Sequence, residues 1–318
     1  MVKEGNKMKS IAVIGQGFVG GSLTTIFAEK GFDVYAYDKA GKYVPGALPS
    51  HGDTVAGYPG SIQELIHDNE EGGTPNFSKV YFVCLPTPMF EDGSADLSIV
   101  EGALKELASV PGERIAVIKS TIPPGSTEKW NEMFKDTGLR IVFNPEFLTE
   151  RTALDDMRNQ DRIILGGPRP WINVVKQIFR TAFPNAKMIK TSSTTAEMVK
   201  YLTNNFLTVK VAFANEMLQV CEALDRDGLN VDYDKVVEYA SHDPRIGPSH
   251  WNVPGPDGKF GYGGSCFPKD INAMICVAKS LGVSPTILKA AWDKNLEVRP
   301  ERDWEKLVGR AITKKSNS

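Results

Sequence analysis

The sequence predicts an α/β protein in which a parallel sheet covered by helices is followed by a long helix and a small all-α domain. Short β-rich runs alternate with helical segments as far as about residue 190, a glycine-rich turn follows the first run, and residues 194–224 hold no glycine or proline. A chain of 318 residues is longer than one hydrophobic core usually serves. We therefore expect domains at residues 9–190 and 191–313.

The predicted strands are short and rich in β-branched or aromatic residues. They cover residues 11–14, 33–37, 80–85, 114–119, 140–143 and 162–165, and a last one runs through Ile189. Segments whose apolar residues have helical spacing separate some of these strands, as at residues 21–30 and 97–107. Strands and helices that alternate at these lengths predict a parallel sheet with helices on both faces.

Residues 194–224 predict one helix of about 30 residues, because nothing in this stretch breaks a helix. Its apolar residues cover most of the helix circumference and are Met198, Val199, Leu202, Phe206, Leu207, Val211, Phe213, Met217 and Leu218. Such a helix must be buried on several sides. Because the remaining chain is short, we expect a homodimer through this helix. Shorter helices are expected near residues 233–240, 270–281 and 285–296, with a Gly/Pro-rich loop at 244–267.

Charge and composition exclude several kinds of partner. The formal net charge is −2 and 24% of the residues are charged, which argues against nucleic acid or a membrane surface as a partner. No apolar run approaches the roughly 20 residues of a membrane span, and the N-terminus lacks the apolar stretch of a signal peptide. The four cysteines show no paired spacing. We expect free thiols, no bound metal and a cytoplasmic location.

A glycine motif, GQGFVG at residues 15–20, follows the first predicted strand and opens the first helix. Asp38 ends the next strand about 20 residues on, which completes the context of a Rossmann-type dinucleotide site. The residues expected to bind the cofactor are Gly15, Gln16, Gly17, Phe18, Val19, Gly20 and Asp38. Because Asp38 accepts ribose hydroxyls and repels a 2′-phosphate, the motif favours NAD over NADP. The alternative is a structural glycine turn in another α/β domain.

Three loops follow later strands, at residues 86–88, 120–125 and 144–150. Ligands of open α/β sheets bind at the carboxyl ends of the strands. We therefore expect the hydroxyl groups of Thr87, Ser120 and Thr121 to point toward the nicotinamide. The prolines of these loops are also explained if the loops are ordinary turns.

Cys266 differs from the other cysteines. Cys84, Cys221 and Cys276 fall in predicted strands or helices, where a buried cysteine acts as a small hydrophobe. Cys266 lies in the loop GYGGSCFPKD, just before Pro268, which suits the first turn of a helix. A thiol at a helix N-terminus beside a lysine has a lowered pKa and is nucleophilic. The alternative is a thiol packed under a glycine turn.

The long helix supplies a second set of candidate residues. Lys200, Asn204, Thr208, Val211 and Asn215 fall on one stripe of this helix. A lysine and an asparagine on a largely buried helix need polar partners. Exposure at the helix end would be the simpler explanation for Lys200, but Asn204 lies further in, among apolar neighbours.

Six motifs together resemble the UDP-glucose 6-dehydrogenase family. They are CLPTP, STIPPG, NPEFLTE, KYLTNNFLTVKVAFANE, DPRIG and GYGGSCFPKD, and the resemblance runs from about Ile11 to Leu296. UDP-hexosamine dehydrogenases of the wider superfamily usually have a histidine where this chain has Ser265, and GDP-mannose dehydrogenase usually has a leucine where it has Phe267. Both positions favour the UDP-glucose branch.

The resemblance implies an NAD-dependent, four-electron oxidation of UDP-glucose to UDP-glucuronate. Cys266 then captures the intermediate aldehyde as a thiohemiacetal and carries it as a thioester, which water hydrolyses. The implied catalytic partners are Lys200 for the oxyanion, Asn204 for a sugar hydroxyl, Asp270 for a water or as base, and Thr121 and Glu146 for water and substrate. The implied binding residues are Glu146, Phe147, Leu148, Lys200, Asn204, Phe260 and Gly263 for the substrate, Arg245 for the substrate of a neighbouring subunit, and Ser120, Thr121, Glu150 and Lys269 for the cofactor.

Members of this family usually continue with a third, nucleotide-binding domain, whereas this sequence ends at Ser318. A truncated form and a naturally compact form are both compatible with that ending. Two alternatives therefore stay open: the same chemistry on GDP-mannose or a UDP-hexosamine, and a non-catalytic NAD-binding dimerisation subunit. The presence of every chemical residue favours an enzyme.

Overall fold

The computed structural model describes residues 9–41, 55–72 and 79–313. The chain divides into two compact units. The first unit comprises Met1–Pro86 and Leu97–Lys200, and the second comprises Thr87–Asp96 and Tyr201–Ser318. Residues 87–96 thus belong to the second unit, although the segments on both sides of them belong to the first.

The first unit contains an eight-stranded sheet with the strand order β3-β2-β1-β4-β5-β6-β7-β8. The strands are β1 (Lys9–Ile14), β2 (Phe32–Tyr37), β3 (Val55–Gly57), β4 (Val80–Val83), β5 (Arg114–Ile118), β6 (Leu139–Phe143), β7 (Arg162–Gly166) and β8 (Lys187–Thr191). Strand order reverses at β1, which lies between β2 and β4. A crevice for a ligand is expected at this point, at the carboxyl ends of the strands.

The sheet is mostly parallel, as predicted, but β7 pairs with β6 in the antiparallel sense, through Phe143 and Gly166. The connection between these strands holds only a 3₁₀ turn, Glu150–Thr152, and the six-residue α5, Ala153–Arg158. An antiparallel neighbour needs no crossover helix, so this short connection can return β7 beside β6. The predicted parallel sheet is therefore confirmed, with this one antiparallel pairing as a feature that the sequence did not predict.

Helices cover both faces of the sheet, as the alternation of strands and helices predicted. The helices of the first unit are α1 (Phe18–Glu29), α2 (Ile62–Gly72), α3 (Ser98–Ser109), α4 (Ser126–Met133), α5 and α6 (Trp171–Ala182). Residues of β1 alternate between two cores: Val13 packs with α1 and α6, whereas Ile14 packs with α2 and α3. Because both faces are buried, the strands consist of continuous apolar runs.

The predicted long helix is α7, Ser193–Arg226, which is 34 residues long. The second unit also holds α8 (Tyr233–Ala240), α9 (Phe267–Ser280), α10 (Thr286–Val298) and a 3₁₀ turn at Asp303–Lys306. Its small core joins Ala212 of α7 to Tyr262, Ile271 and Ala291. No helix within the described ranges is both long and apolar enough to cross a bilayer.

One face of α7 stays open in the single chain. The apolar side chains of Leu202, Phe206 and Phe213 are 67%, 64% and 50% exposed, although the sequence predicted burial on several sides. All four cysteines are free thiols, as predicted. Cys221 is buried, as predicted, whereas Cys84 and Cys276 are half-buried. Cys84 packs against the core of the first unit, as a small hydrophobe does.

Candidate functional site

The glycine turn after β1 has a backbone that only glycine can supply. Gly15 has a φ of +91°, and its N–H donates to the carbonyl of Tyr37 at 2.7 Å. A Cβ atom at Gly15 would overlap with the carbonyl oxygen of Cys84, and one at Gly20 would overlap with the carbonyl oxygen of Gly15. The first and third glycines of the motif therefore let the turn pack tightly against β4 and α1.

Gly17, the middle glycine, faces open space. It is the N-cap of α1, and no atom lies within 4 Å of the position that its Cβ would occupy. Asp38 is fixed beside it, because its carboxylate accepts the N–H groups of Gln16 at 2.8 Å and Ala40 at 2.9 Å. A helix N-terminus with room for a pyrophosphate, next to a fixed carboxylate for ribose hydroxyls, fits a dinucleotide such as NAD.

Ser120 braces the ends of two strands. Its hydroxyl accepts the N–H of Leu85 at 3.0 Å and donates to the carbonyl of the same residue at 2.6 Å. That hydroxyl proton is therefore already used within the first unit. The role of Ser120 in cofactor binding stays a prediction, as do those of Phe18, Val19 and Thr121 in the same unit and of Thr87 in the second.

Lys200 and Glu146 form a buried ion pair in the first unit. The Lys200 ammonium donates to Glu146 Oε1 at 2.9 Å and to the Glu146 carbonyl at 2.8 Å. The other carboxylate oxygen of Glu146 accepts the N–H of Leu148 at 2.7 Å. Burial acts to raise the pKa of Glu146, but the Lys200 charge and these hydrogen bonds outweigh it and lower the pKa below its ordinary value. The pair thus joins α7 to the loop after β6.

Lys119 is a second buried lysine of this cluster, and its place at the end of a strand is its one signal in the sequence. Its ammonium donates to Asn144 Oδ1 at 2.7 Å, and Asn144 Nδ2 donates to the carbonyl of Ile164 at 2.8 Å. Burial, with a smaller contribution from the Lys200 charge, lowers the pKa of Lys119 to about 8 against the opposing influence of Cys84 and Glu146. These contacts tie the ends of β5, β6 and β7 together.

A cavity of about 350 Å³ lies beside this cluster, within the first unit. Lys119, Glu146, Phe147, Leu148 and Arg162 contribute to its walls. The Arg162 guanidinium stacks over the ring of Phe147, 4.7 Å from its centroid. Three residues predicted to bind substrate therefore border one polar cavity. Glu150 is exposed at the start of the 3₁₀ turn that follows this loop.

Cys266 is the N-cap residue of α9, as the sequence predicted. Its side chain makes no capping hydrogen bond, and its Sγ lies 3.9 Å from the hydroxyl of Ser265. Pro268 occupies the first turn, and the N–H of Asp270 closes that turn by donating to the Cys266 carbonyl at 3.0 Å. The thiol therefore stands at the positive end of the helix dipole, which stabilises a thiolate.

The second unit also brings Asn204 and Asp270 together. Asp270 is 1% exposed, and its carboxylate accepts Asn204 Nδ2 at 2.6 Å and pairs with the ammonium of Lys269. The polar partner that the buried Asn204 required is thus Asp270. Arg245 is exposed and paired with Asp243. The predicted cofactor role of Lys269 and the predicted substrate role of Arg245 stay predictions.

The loop before Cys266 has no regular structure, and side chains of helices hold its backbone. Asn295 Oδ1 accepts the N–H of Tyr262 at 2.7 Å, while its Nδ2 donates to the Tyr262 carbonyl at 2.9 Å. Asn215 Oδ1 accepts the N–H of Gly261 at 3.1 Å. Sequence reasoning placed Asn215 on the polar stripe of α7 but missed Asn295, whose only sequence signal is a polar residue on an otherwise apolar helix face. Phe260, predicted to contact substrate, is exposed at the start of this loop.

Two sequence profiles match most of the chain. Residues 9–183 match the NAD binding domain of the UDP-glucose/GDP-mannose dehydrogenase family. Residues 194–297 match the central domain of the same family. The first match confirms the prediction of an NAD-binding domain and of NAD as the cofactor.

Curated relatives and a solved structure agree with these matches. UDP-glucose 6-dehydrogenase AglM of Haloferax volcanii is 34% identical, covering 92% of this chain and 70% of the relative. UDP-glucose 6-dehydrogenase TuaD of Bacillus subtilis is 32% identical, covering 92% and 64%. The structure of a UDP-glucose dehydrogenase from Pyrobaculum islandicum superposes with a TM-score of 0.78 at 31% identity, covering 96% of this chain and 72% of that chain. The chain thus spans about two thirds of the length of these relatives.

The glycine turn makes a paired prediction. Gly20→Ala should destabilise the fold by about 3 kcal/mol or more, because its methyl group meets backbone. Gly17→Ala should cost about 1 kcal/mol or less but weaken NAD binding by about tenfold or more, because its methyl group enters the open space before α1. Urea unfolding and NADH fluorescence titration check both. Equal NAD affinity of Gly17→Ala and the wild type would contradict this assignment.

Lys119 should make stability depend on pH in the alkaline range. Its folded-state pKa of about 8 lies below the ordinary 10.5, so between these values the unfolded chain holds a proton that the folded chain has lost. Stability from this group therefore rises with pH across that window. Relative to Lys119→Met, the wild type should gain about 3 kcal/mol of unfolding free energy between about pH 7 and 11.

Urea unfolding at several pH values measures this difference. Lys105→Met, at an exposed position of α3, is the matched control for the loss of a lysine. A difference between the wild type and Lys119→Met that stays constant from pH 7 to 11 would show that Lys119 keeps its ordinary protonation in the fold.

Proposed function

Because the chain belongs to the UDP-glucose/GDP-mannose dehydrogenase family, we propose that it oxidises UDP-glucose to UDP-glucuronate with NAD, through a covalent intermediate on Cys266. Family membership makes it an NAD-dependent oxidoreductase of the UDP-glucose 6-dehydrogenase type. The observation that carries the finer proposal is the position of Cys266 at the N-terminus of α9. A thiol nucleophile is needed in such a reaction only if the aldehyde is oxidised further to an acid.

The overall reaction converts one primary alcohol and one water to a carboxylate, with the release of two hydrides and three protons. When bound, NAD accepts the hydride in each of the two oxidations. Between them the Cys266 thiolate adds to the aldehyde carbon, forming a C–S bond and an alkoxide. Loss of the second hydride leaves a thioester, and attack by water breaks the C–S bond, which returns the thiol and releases the acid.

In the second unit, Asp270 and Asn204 are proposed to serve this chemistry. Asp270 is buried, 2.6 Å from Asn204 and paired with Lys269, so its position is fixed by two partners. It is suited to orient the hydrolytic water or to take a proton from it. Asn204 is proposed to donate to a sugar hydroxyl with the remaining hydrogen-bonding capacity of its amide.

In the first unit, Lys200 is proposed to stabilise the negative oxygen formed at C6. A buried ammonium interacts with a developing oxyanion far more strongly than an exposed one. Glu146 holds this ammonium at 2.9 Å, and with Thr121 it is proposed to assist water and substrate. Phe147 and Leu148 are proposed to contact the sugar nucleotide from the same loop.

Two positions support UDP-glucose over other sugar nucleotides. Ser265 precedes the nucleophile and Phe267 follows it, in the pattern of the UDP-glucose branch. The names of the relatives given above agree with this choice. GDP-mannose or a UDP-hexosamine as substrate, and a non-catalytic NAD-binding subunit, are the alternatives that the experiment below separates.

We further propose that the chain forms a homodimer through α7. Leu202, Phe206, Phe213, Val220 and Leu224 recur at four- and seven-residue spacing and expose one apolar face of the helix. A long apolar stripe at this spacing is typical of a helix that packs against another. The free thiols support the related proposal of a reducing, cytoplasmic location.

Turnover with a panel of sugar nucleotides tests the function. Purified protein should form two NADH for each UDP-glucose, and Cys266→Ala should lose acid formation by at least about 10³-fold while binding NAD with unchanged affinity. Cys276→Ala, at a half-buried thiol elsewhere on α9, is the matched control and should keep full activity. Absorbance at 340 nm and chromatography of the products supply the measurements.

Each other result has one meaning. Turnover with GDP-mannose or a UDP-hexosamine, and not with UDP-glucose, would show that the protein carries out the same reaction on that other substrate. NAD binding without turnover of any sugar nucleotide would favour the non-catalytic subunit. Acid formed by Cys266→Ala at the wild-type rate would exclude the covalent route.

The dimer makes a separate prediction. The wild type should have twice the mass of the 34.9 kDa chain, and Phe206→Glu should have the mass of one chain, because it places a charge in the apolar contact. Met133→Glu, at an exposed apolar residue of α4, is the control and should stay dimeric. Light scattering after size exclusion measures the mass; a dimeric Phe206→Glu would show that this face is not the interface.

A further inference from the structure

The loop that ends at Cys266 is held by a buried arginine that lies further toward the C-terminus of the chain. Arg299 follows α10 and is only 2% exposed. Its Nε donates to Asp303 Oδ1 at 2.6 Å, and its Nη2 donates to Asp257 Oδ2 at 2.7 Å. Its Nη1 donates to the carbonyl of Phe260 at 3.2 Å. We call Arg299, Asp257 and Asp303 the arginine clamp.

Asp303 carries the clamp to the residues next to the nucleophile. Its second oxygen, Oδ2, accepts the N–H of Gly264 at 3.0 Å, two residues before Cys266. Gly264 has a φ of +72°, so the chain turns sharply at this bond. A Cβ atom at Gly263 would overlap with the guanidinium of Arg299 and with Asp303, which shows how closely the loop backbone lies on the clamp.

The clamp places two carboxylates around one buried guanidinium. Burial acts to raise the pKa of Asp303, but the bonds from Arg299 and Gly264 outweigh it and lower the pKa below its ordinary value. If Asp303 were lost, the Nε of the buried Arg299 and the N–H of Gly264 would lose their acceptors, so these hydrogen bonds hold the groups in one arrangement. The matched central domain ends at residue 297, so Arg299 and Asp303 lie beyond it.

We propose that Arg299 and Asp303 are positioning residues that hold Cys266 at the N-terminus of α9 for its attack on the aldehyde. The inference rests on the proposed function, in which the thiol serves only the second oxidation. Loosening the clamp should therefore slow the step from aldehyde to acid and leave the first hydride transfer nearly unchanged. A residue with a merely structural role would lower both steps together.

The test is Asp303→Asn, whose amide cannot accept from Arg299 and Gly264 at once. In single turnovers with NAD and UDP-glucose, the first NADH should form within threefold of the wild-type rate, and acid should form at least tenfold more slowly. An aldehyde-trapping amine should then lower the yield toward one NADH per sugar. Alkylation of Cys266 by iodoacetamide, measured by peptide mass spectrometry relative to Cys276, should slow at least threefold, and this readout needs no turnover.

Two further variants frame the result. Glu305→Gln, an exposed acid of the same 3₁₀ turn, is the matched control and should behave as wild type. Asp257→Asn leaves the bond from Asp303 to Gly264 in place. It should therefore also slow acid formation relative to the first hydride transfer, but by a smaller factor. If Asp303→Asn fails to fold by urea unfolding, Asp257→Asn carries the test, because Asp257 is half-exposed.

The two proposals fail in different ways. If Cys266→Ala still makes acid at the wild-type rate, the proposed function is overturned whatever the clamp variants do. Suppose instead that Cys266→Ala loses acid formation, while the folded clamp variants keep the wild-type ratio of the two oxidation rates and the wild-type rate of alkylation. Only the clamp inference is then overturned. Equal slowing of both oxidations would also overturn it, since that outcome marks a structural role.

Discussion

The buried ion pair between Lys200 and Glu146 is the constraint on which the functional end of the first unit depends. Removing two such charges from water is costly, and the pair persists because each group has further hydrogen bonds. Loss of either partner would leave a lone buried charge, at a cost of about 3–5 kcal/mol. The loop after β6 and the first turns of α7 therefore hold one arrangement, and Lys119 with Asn144 extends it to β5 and β7.

In the second unit, an irregular loop must hold a reactive group in one position. Its backbone groups cannot pair within a helix or a sheet, so side chains of Asn215, Asn295, Arg299 and Asp303 satisfy them. These side chains come from helices and a 3₁₀ turn that are packed by Ala212, Ala291 and Trp304. The loop is thus as rigid as the elements around it, without regular structure of its own.

The features predicted from the sequence are those fixed by nearby residues. The turn at Gly15–Gly20, the place of Asp38 directly after β2 and the start of α9 after Cys266 each follow from local backbone geometry, and the structure confirms all three. Lys119 and Asn295 were missed because their partners lie 25 and 33 residues away, where spacing gives no signal. Arg299 was missed because two of its three partners, Phe260 and Asp257, lie 39 and 42 residues away. The antiparallel pairing of β7 was missed because strand composition is the same in either direction.

The close approach of Gly263 to Arg299 links two positions that are far apart in the chain. Any side chain at residue 263 would occupy space held by the guanidinium of Arg299 and by Asp303, so such a change requires both of these side chains to shift or to become smaller. The converse also holds, since a shorter residue at 299 leaves a void beside the glycine. Among homologues that share this loop, the two positions should therefore covary, with arginine at one wherever glycine stands at the other.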